Sequence, residues 1–247
     1  MRHAGWAERF GRLGEIVPER AETWEGRLFL TVDLDWAPDW AIADCLDLVE
    51  EARVAATIFV THDTPLLARM RANPRIELGL HPNFNPLLDG LSSQGSAETV
   101  MRGLQRIVPE ARAVRSHSMT QSSRLLDVFL RCGITHESNH FVPAHTGIAL
   151  KPYRHWKQDL VRVPYCWEDD VDLAFGSPLP ILSVAAGEGL KVFDFHPIHV
   201  ALDTVSLAHY EAARGLLGEG QTSRPAAPRD PKGVRAQFRA LLFGEPI

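Results

Sequence analysis

The chain has 247 residues, of which 45% are hydrophobic and 23% are charged. Its formal net charge of -5 and its isoelectric point near 6.1 argue against a nucleic-acid partner or an anionic membrane surface. No apolar run is long enough for a membrane span or a signal peptide, and the three cysteines lack metal or redox spacing. We therefore expect a cytoplasmic protein without disulfides.

Residues 1–26 place apolar side chains at helical spacing, so we interpret them as an N-terminal helical arm. A single domain is expected over residues 27–247, with helices at its C-terminal end. The first strand, residues 27–35, is an apolar run that ends in Asp33 and Asp35. Because strand side chains alternate in direction, both carboxylates should leave the same face. Such a pair needs a metal, an arginine or protons to compensate it.

Strands and helices then alternate along the chain, a pattern typical of a parallel sheet. Periodicity predicts further strands over residues 55–60, 76–80, 111–115, 134–138, 160–165 and 190–195. It predicts helices near residues 38–49, 65–71, 99–107, 122–131, 206–217 and 232–243, and composition predicts a mobile stretch over 218–229. Residues 139–157 lack periodicity, which indicates a long surface loop that is either functional or disordered.

Five of these strands end in side chains that can carry chemistry, and in parallel barrels the catalytic groups gather at such strand ends. The groups are Asp33 with Asp35, His81 with Asn85, Arg115 with His117, Glu168 with Asp169 and Asp170, and His196 with His199. Taken singly, each has an ordinary explanation, such as a helix N-cap for an aspartate or a backbone hydrogen bond for a histidine. Together, carboxylates, imidazoles and one arginine on one rim favour a metal-assisted hydrolytic site.

Several of these segments resemble the polysaccharide deacetylases, the NodB-homology group of carbohydrate esterases. The matching segments are residues 31–35 (first motif), 56–60 (second strand), 77–81 (metal-binding motif), 115–118 (the position of an Arg-x-Pro segment) and 193–196 (last strand with the catalytic histidine). They follow the order of the family over residues 27–200. The residues around His81, Arg115 and His196 are most similar to the WbmS-like branch, which is associated with surface-polysaccharide gene clusters.

The resemblance implies a distorted (β/α)7 barrel of α/β class, one divalent metal that is usually zinc, and removal of an acetyl group from an N-acetylated sugar. It implies Asp33 as general base, Asp35 and His81 as metal ligands, Arg115 as the partner that orients Asp33, and His196 as general acid. This chemistry suits the residue types, because a metal polarises the acetyl carbonyl and lowers the pKa of its bound water. The resemblance puts the backbone donor to the oxyanion at Ser118.

The sequence leaves the identity of the third metal ligand undecided, because it differs from the family at the position where that ligand is expected. The family has a second histidine four residues after the first, and here that position is Asn85. An amide oxygen binds zinc less well than an imidazole does, so His117 is the alternative ligand, and Asn85 is equally well explained as a turn residue. The fourth motif of the family, an Asp and a Trp that tune the catalytic histidine, is only loosely similar to residues 167–169.

The remaining candidates are side chains that contact a substrate. Trp36, Trp156 and Trp167 could stack on a sugar, because an aromatic ring offers a flat apolar face. Packing in the core is an equally good explanation for these three residues. The substrate-binding set that we expect is Trp36, Ser118, Trp167, Glu168, Asp169 and His199. We expect a deacetylase that acts on an N-acetylated precursor of an O-antigen-type polysaccharide. The alternatives are a degenerate deacetylase-like domain that binds a glycan or a partner without hydrolysis, and a metal-dependent hydrolase of another amide or an ester.

Overall fold

Strands and helices alternate along most of the chain in a computed structural model of the protein, which describes residues 5–90, 95–157, 159–216 and 230–246. Within these residues the chain forms one sheet of ten strands and ten α-helices. The stretch 218–229, which the sequence predicts to be mobile, lies outside the described residues.

The sheet is almost entirely parallel and curls into an open, distorted barrel. Its strands are β1 Phe10–Gly11, β2 Leu28–Asp33, β3 Ala56–Val60, β4 Ile76–Leu80, β5 Ala113–Val114, β6 His136–Glu137, β7 Tyr153–Arg154, β8 Val161–Arg162, β9 Trp167–Glu168 and β10 Val192–Phe195. Their order is β7-β8-β6-β5-β4-β3-β2-β10-β9, with β1 also paired to β2. Only β7 and β8 pair in antiparallel fashion among the described strands. The predicted barrel is therefore confirmed.

The helices lie between the strands and after the last of them. They are α1 Asp39–Ala52, α2 Leu67–Ala72, α3 Asn85–Leu88, α4 Ala97–Ile107, α5 Ser123–Arg131, α6 Asp169–Phe175, α7 Ile181–Ala186, α8 Pro197–Leu202, α9 Leu207–Leu216 and α10 Val234–Phe243. Ser96 and Ser122 start α4 and α5, because each hydroxyl accepts a hydrogen bond at 3.2 Å from a backbone N–H in the first turn.

The N-terminal segment does not form the long helix that its apolar spacing predicts. It contains short 3₁₀ helices at Ala7–Arg9, Leu13–Glu15 and Ala21–Thr23, and its strand β1 pairs with β2. The Gly14 N–H donates to Glu77 at 3.0 Å, and a Cβ at Gly14 would lie 2.2 Å from that carboxylate. Contact with β4 therefore overrides the helical spacing, and Phe10, Leu13 and Ile16 join the barrel core.

The helices in the described part of the chain are all too short or too polar to cross a membrane. Cys45, Cys132 and Cys166 are buried free thiols. The cytoplasmic location and the division at residue 27 stay predictions.

Candidate active site

The predicted site residues meet at the carboxyl ends of the parallel strands, around a cavity of about 100 Å³. Asp33 ends β2, His81 follows β4, Arg115 follows β5 and His196 follows β10. The cavity lining includes the predicted residues Asp33, Asp35, His81, Arg115, His117, Ser118, Glu168 and His196. Parallel pairing of adjacent strands brings these side chains together from positions far apart in the sequence.

Asp35, His81 and His117 form a cluster of metal-ligand type at this cavity, with donor atoms within 4.8 Å of one another. Asp35 Oδ1 lies 3.0 Å from His81 Nε2 and 3.2 Å from His117 Nδ1. Burial opposes ionisation of Asp35, but hydrogen bonds to His117 and His81 and the charge of His196 hold its pKa well below the usual range. An ionised carboxylate with two imidazoles is a zinc-type donor set, so these residues fit one divalent ion.

Two further sets of possible metal ligands also have their donor atoms within 4.8 Å of one another. They are Asp33 with Asp194 and His196, and Glu168 with Asp170 and His196. In the first group, Asp33 and Asp194 already share the Arg115 guanidinium as their cation. In both groups, His196 Nδ1 lies 2.6 Å from the buried carboxylate of Asp169. The cluster around Asp35 is therefore the best candidate metal centre among the described residues.

Asn85 is placed beside the loop that follows β5. Its Nδ2 donates to Ser118 Oγ at 3.1 Å, and its Oδ1 accepts from the Thr120 hydroxyl at 3.5 Å. His117 rather than Asn85 meets the Asp35 carboxylate. This arrangement favours His117 as the third ligand and gives Asn85 a role in holding the loop.

Arg115 is a buried cation that holds two carboxylates. Its Nη1 donates to Asp33 Oδ1 at 3.2 Å and to Asp194 Oδ1, while Nε and Nη2 donate to Ser138 at 2.9 and 3.0 Å. The guanidinium lies 4.3 Å from the ring centroid of Tyr165. Burial opposes the charge, but Asp194 and Asp33 keep the pKa of Arg115 above its usual value. The Asp33 carboxylate is thus fixed in orientation.

Asp194 belongs to this network, although sequence reasoning did not select it. It lies in β10 between two phenylalanines and accepts a hydrogen bond from the Thr31 hydroxyl at 2.7 Å. Burial raises the pKa of Asp194 well above its usual range, and the charge of Asp33 adds to this effect against the opposing charge of Arg115. A lone carboxylate inside an aromatic buried strand was the available signal, because it requires a partner.

His196 precedes α8 and is oriented by Asp169. The Asp169 carboxylate lies 2.6 Å from His196 Nδ1 and accepts the His196 backbone N–H at 2.8 Å. Burial would lower the pKa of His196, but the charges of Asp169 and Asp170 raise it well above the usual range. The other nitrogen, Nε2, lies 3.6 Å from Asp35 Oδ2. A protonated imidazole in this position suits a general acid.

Two pairs of non-glycine residues in the left-handed region border the site. They are Asp35 and Trp36, with φ of 40° and 54°, and Ser118 and Met119, with φ of 56° and 52°. Such conformations cost roughly 1–3 kcal/mol each and cluster at functional sites. Trp36 is 48% exposed, and its ring packs edge to face on His117 with 5.2 Å between centroids. Trp36 is therefore placed where a substrate can reach it.

Three residues predicted to contact substrate lie behind the cavity wall. Trp167 is buried against Phe195, with 4.6 Å between ring centroids. Asp169 is buried behind His196, and His199 is buried with its Nε2 2.7 Å from Asp170 Oδ1. These placements fit support of neighbouring side chains better than direct contact with a substrate.

Comparison with known proteins agrees with this geometry. The family model described as WbmS-like polysaccharide deacetylase matches residues 30–214. This chain belongs to the WbmS-like polysaccharide deacetylase family. A crystal structure of WbmS from Bordetella bronchiseptica, assigned as a polysaccharide deacetylase involved in O-antigen biosynthesis, is 40% identical with a TM-score of 0.84. That match covers 98% of this chain and 100% of the Bordetella chain.

A crystal structure of a Mycobacterium smegmatis protein, also assigned as a polysaccharide deacetylase, is 14% identical to this WbmS-like chain with a TM-score of 0.51. The match covers 81% of this chain and 87% of the other, and at this identity it shows the fold alone. A search of curated proteins gives no significant match. The family assignment confirms the resemblance that the strand-end motifs predict.

Proposed function

We propose that this WbmS-like chain is a metal-dependent deacetylase that removes the acetyl group from an N-acetylated sugar in O-antigen-type polysaccharide biosynthesis. The observation that carries the proposal is the cluster of Asp35, His81 and His117 in one cavity with Asp33 and His196. Membership of the WbmS-like family supports the polysaccharide substrate, and the name of the Bordetella relative supports the O-antigen setting.

Asp35, His81 and His117 would hold the divalent ion, and zinc is the first candidate because the set is one carboxylate and two imidazoles. When bound, such an ion polarises the acetyl carbonyl and lowers the pKa of water. The protein's own residues supply the proton transfers and the orientation. The proposal assigns these to Asp33 and His196.

Asp33 is the general base of the proposal. Its Oδ1 accepts from Arg115 at 3.2 Å, which orients the carboxylate, and its Oδ2 lies 3.4 Å from His81 Nδ1. As water adds to the acetyl carbon, Asp33 takes up one proton of that water. The backbone N–H of Ser118 is the proposed donor to the carbonyl oxygen as it becomes negative.

His196 is the general acid of the proposal. Asp169 fixes its ring through Nδ1 at 2.6 Å, which leaves Nε2 for the substrate. As the bond between the acetyl carbon and the sugar nitrogen breaks, His196 gives its Nε2 proton to that nitrogen, and the products are acetate and an amino sugar. Asp33 thus takes a proton from the attacking water, and His196 gives a proton to the leaving nitrogen.

Acetate release from N-acetylated oligosaccharides tests this proposal. We expect the purified protein to release acetate, to lose the activity after chelation of metal, and to regain it with zinc or another divalent ion. Full activity after complete removal of metal would contradict the proposal. Sugar binding without acetate release across several metals would favour the degenerate binding domain that Asn85 suggested, and release from other amides or esters alone would favour the third alternative.

A further inference from the structure

A second cavity, of about 230 Å³, lies at the amino ends of β9 and β10. Cys166 and Lys191 line it, and they come directly before these strands, whereas the catalytic residues lie at the carboxyl ends of the strands. The other lining residues come from two segments, residues 144–150 of the irregular loop and residues 179–190 around α7. The proposed reaction does not use this cavity.

The irregular loop is fixed against the chain that follows α7. The Leu190 N–H donates to the Leu150 carbonyl at 2.8 Å. Gly189 has a φ of 75°, and a Cβ there would lie 2.6 Å from the same carbonyl oxygen, so glycine allows the two segments to come this close. The sequence predicts a loop that is either functional or disordered, and the structure makes it one wall of a cavity.

Apolar side chains form much of the cavity wall. Leu150, Val184 and Leu190 are buried in it, while Ile148 and Leu179 are 61% and 37% exposed. The apolar surface therefore continues from the interior to the opening. A ligand with an apolar chain suits such a wall, because its binding removes apolar area of both partners from water.

Lys191 brings a buried ammonium group to this wall. The residue is 4% exposed, and its Nζ donates to the carbonyls of Gly187 and Gly189 at 2.9 and 2.7 Å. Gly187 follows α7, so the bond to its carbonyl caps the end of that helix. These bonds use two of the three N–H donors, and no carboxylate among the described residues forms an ion pair with Lys191. A buried charge without a counter-ion is costly, so an anion beside this amine would be stabilising.

The two other titratable residues of the wall do not supply that anion. Burial raises the pKa of the Cys166 thiol to about 11, so the thiol is neutral, and its Sγ donates to the Val192 carbonyl at 3.2 Å. Glu188 is exposed and makes no ion pair with Lys191 within the described part of the chain. Burial lowers the pKa of the Lys191 amine, and the charge of Arg9 adds to this effect. An anion next to the amine would oppose both causes.

We propose that this cavity binds a monocarboxylate with an apolar chain, the chemistry of a medium-chain fatty acid. The carboxylate accepts the third N–H of Lys191, and the chain lies between the irregular loop and α7. A buried ammonium group and apolar walls together select this class, because a neutral lipid leaves the charge unpaired and a small anion leaves the walls without an apolar partner. The site is separate from the proposed deacetylase centre, and binding there does not depend on hydrolysis.

Calorimetric titration of the protein with octanoate tests the inference, with 1-octanol and acetate as matched probes. Octanol keeps the chain without the charge, and acetate keeps the charge without the chain. We expect octanoate to bind about tenfold more tightly than octanol, because a hydrogen bond between charged groups is added. Acetate should bind about 100-fold more weakly than octanoate, because it lacks the apolar chain.

Two variants assign the binding to this cavity. Lys191→Met keeps the length of the side chain and should lower the affinity for octanoate about tenfold, to that for octanol. Ile148→Ser leaves the amine and its two carbonyl partners intact and should weaken octanoate and octanol alike by about threefold. Lys232→Met and Leu88→Ser are the controls, because both residues are exposed outside this cavity, and they should leave the affinities unchanged.

Octanoate that does not bind, or that binds no more tightly than octanol, would overturn the inference and leave Lys191 as a helix cap only. Equal affinity of Lys191→Met and the wild-type protein for octanoate would also overturn it. Ile148→Ser tests the site independently of any loss of stability in Lys191→Met, because Ile148 is exposed. An Ile148→Ser protein that binds octanoate as tightly as the Leu88→Ser control would contradict the assignment to this cavity.

Discussion

Replacement of Arg115 by methionine removes the cation that two buried carboxylates share. Arg115 is 1% exposed, and it donates hydrogen bonds to Asp33, to Asp194 and to two oxygens of Ser138. Methionine is apolar and similar in length, so much of the packing on Tyr165 should be kept. The charge and the donors are lost, and the two carboxylates stay in a buried place without their partner.

The cost of this substitution follows from those carboxylates. Removal of one partner of a buried ion pair costs about 3–5 kcal/mol of unfolding free energy. For a chain of this length, that loss corresponds to a fall in melting temperature of about 6–20 °C. Asp194→Asn in the Arg115→Met background removes one of the two carboxylates, so the double variant should recover part of the loss.

Urea unfolding followed by tryptophan fluorescence measures the change in unfolding free energy. Arg20→Met is the matched control, because the side chains of Arg20 and its partner Glu22 are 63% and 67% exposed, and we expect no measurable change. Arg115→Lys keeps the charge but not the planar guanidinium group. Its unfolding free energy should therefore fall less than that of Arg115→Met. An Arg115→Met protein as stable as the wild-type protein or as the Arg20→Met control would show that Arg115 does not stabilise the two carboxylates.

Two further predictions concern the acid and the metal centre. Asp169→Asn removes the negative charge beside His196 Nδ1 that favours the protonated imidazole, so kcat for acetate release should fall about 100-fold or more while metal content stays the same. A kcat close to the wild-type value would contradict the role of Asp169. His117→Ala should weaken zinc binding by about tenfold or more in competition with a chelating dye, whereas Asn85→Ala should leave it unchanged. The opposite order would make Asn85 the third ligand.

The central strands of the barrel could be predicted because β2, β3, β4 and β10 are predominantly apolar, as expected for strands buried on both faces. Strands β1, β7 and β9 have two residues each and lie outside the segments predicted as strands, whereas the equally short β5, β6 and β8 lie inside such segments. The structure of the N-terminal segment could not be predicted, because its contact with Glu77 joins parts of the chain 63 residues apart. Local spacing contains no information about such a contact.

Much of the site could be predicted because residues of the right chemical type follow the strands in order, and strand direction places them on one rim. The role of Asp194 could not, because it depends on Arg115, which reaches it across the barrel from a position 79 residues away. The preference for His117 over Asn85 likewise depends on contacts across the sheet, because His117 meets Asp35 whereas Asn85 bonds to Ser118. The order of residues along the chain does not determine which side chains meet across the sheet.

Asp35 and Asp33 have different roles in the proposed mechanism, since Asp35 would hold the metal and Asp33 would take up a proton. Measurement of zinc content and acetate release for Asp35→Asn and Asp33→Asn in parallel tests this division. Asp35→Asn should lose zinc together with activity. Asp33→Asn should retain zinc while acetate release falls about 100-fold or more. Equal loss of zinc in the two variants would contradict the division of roles.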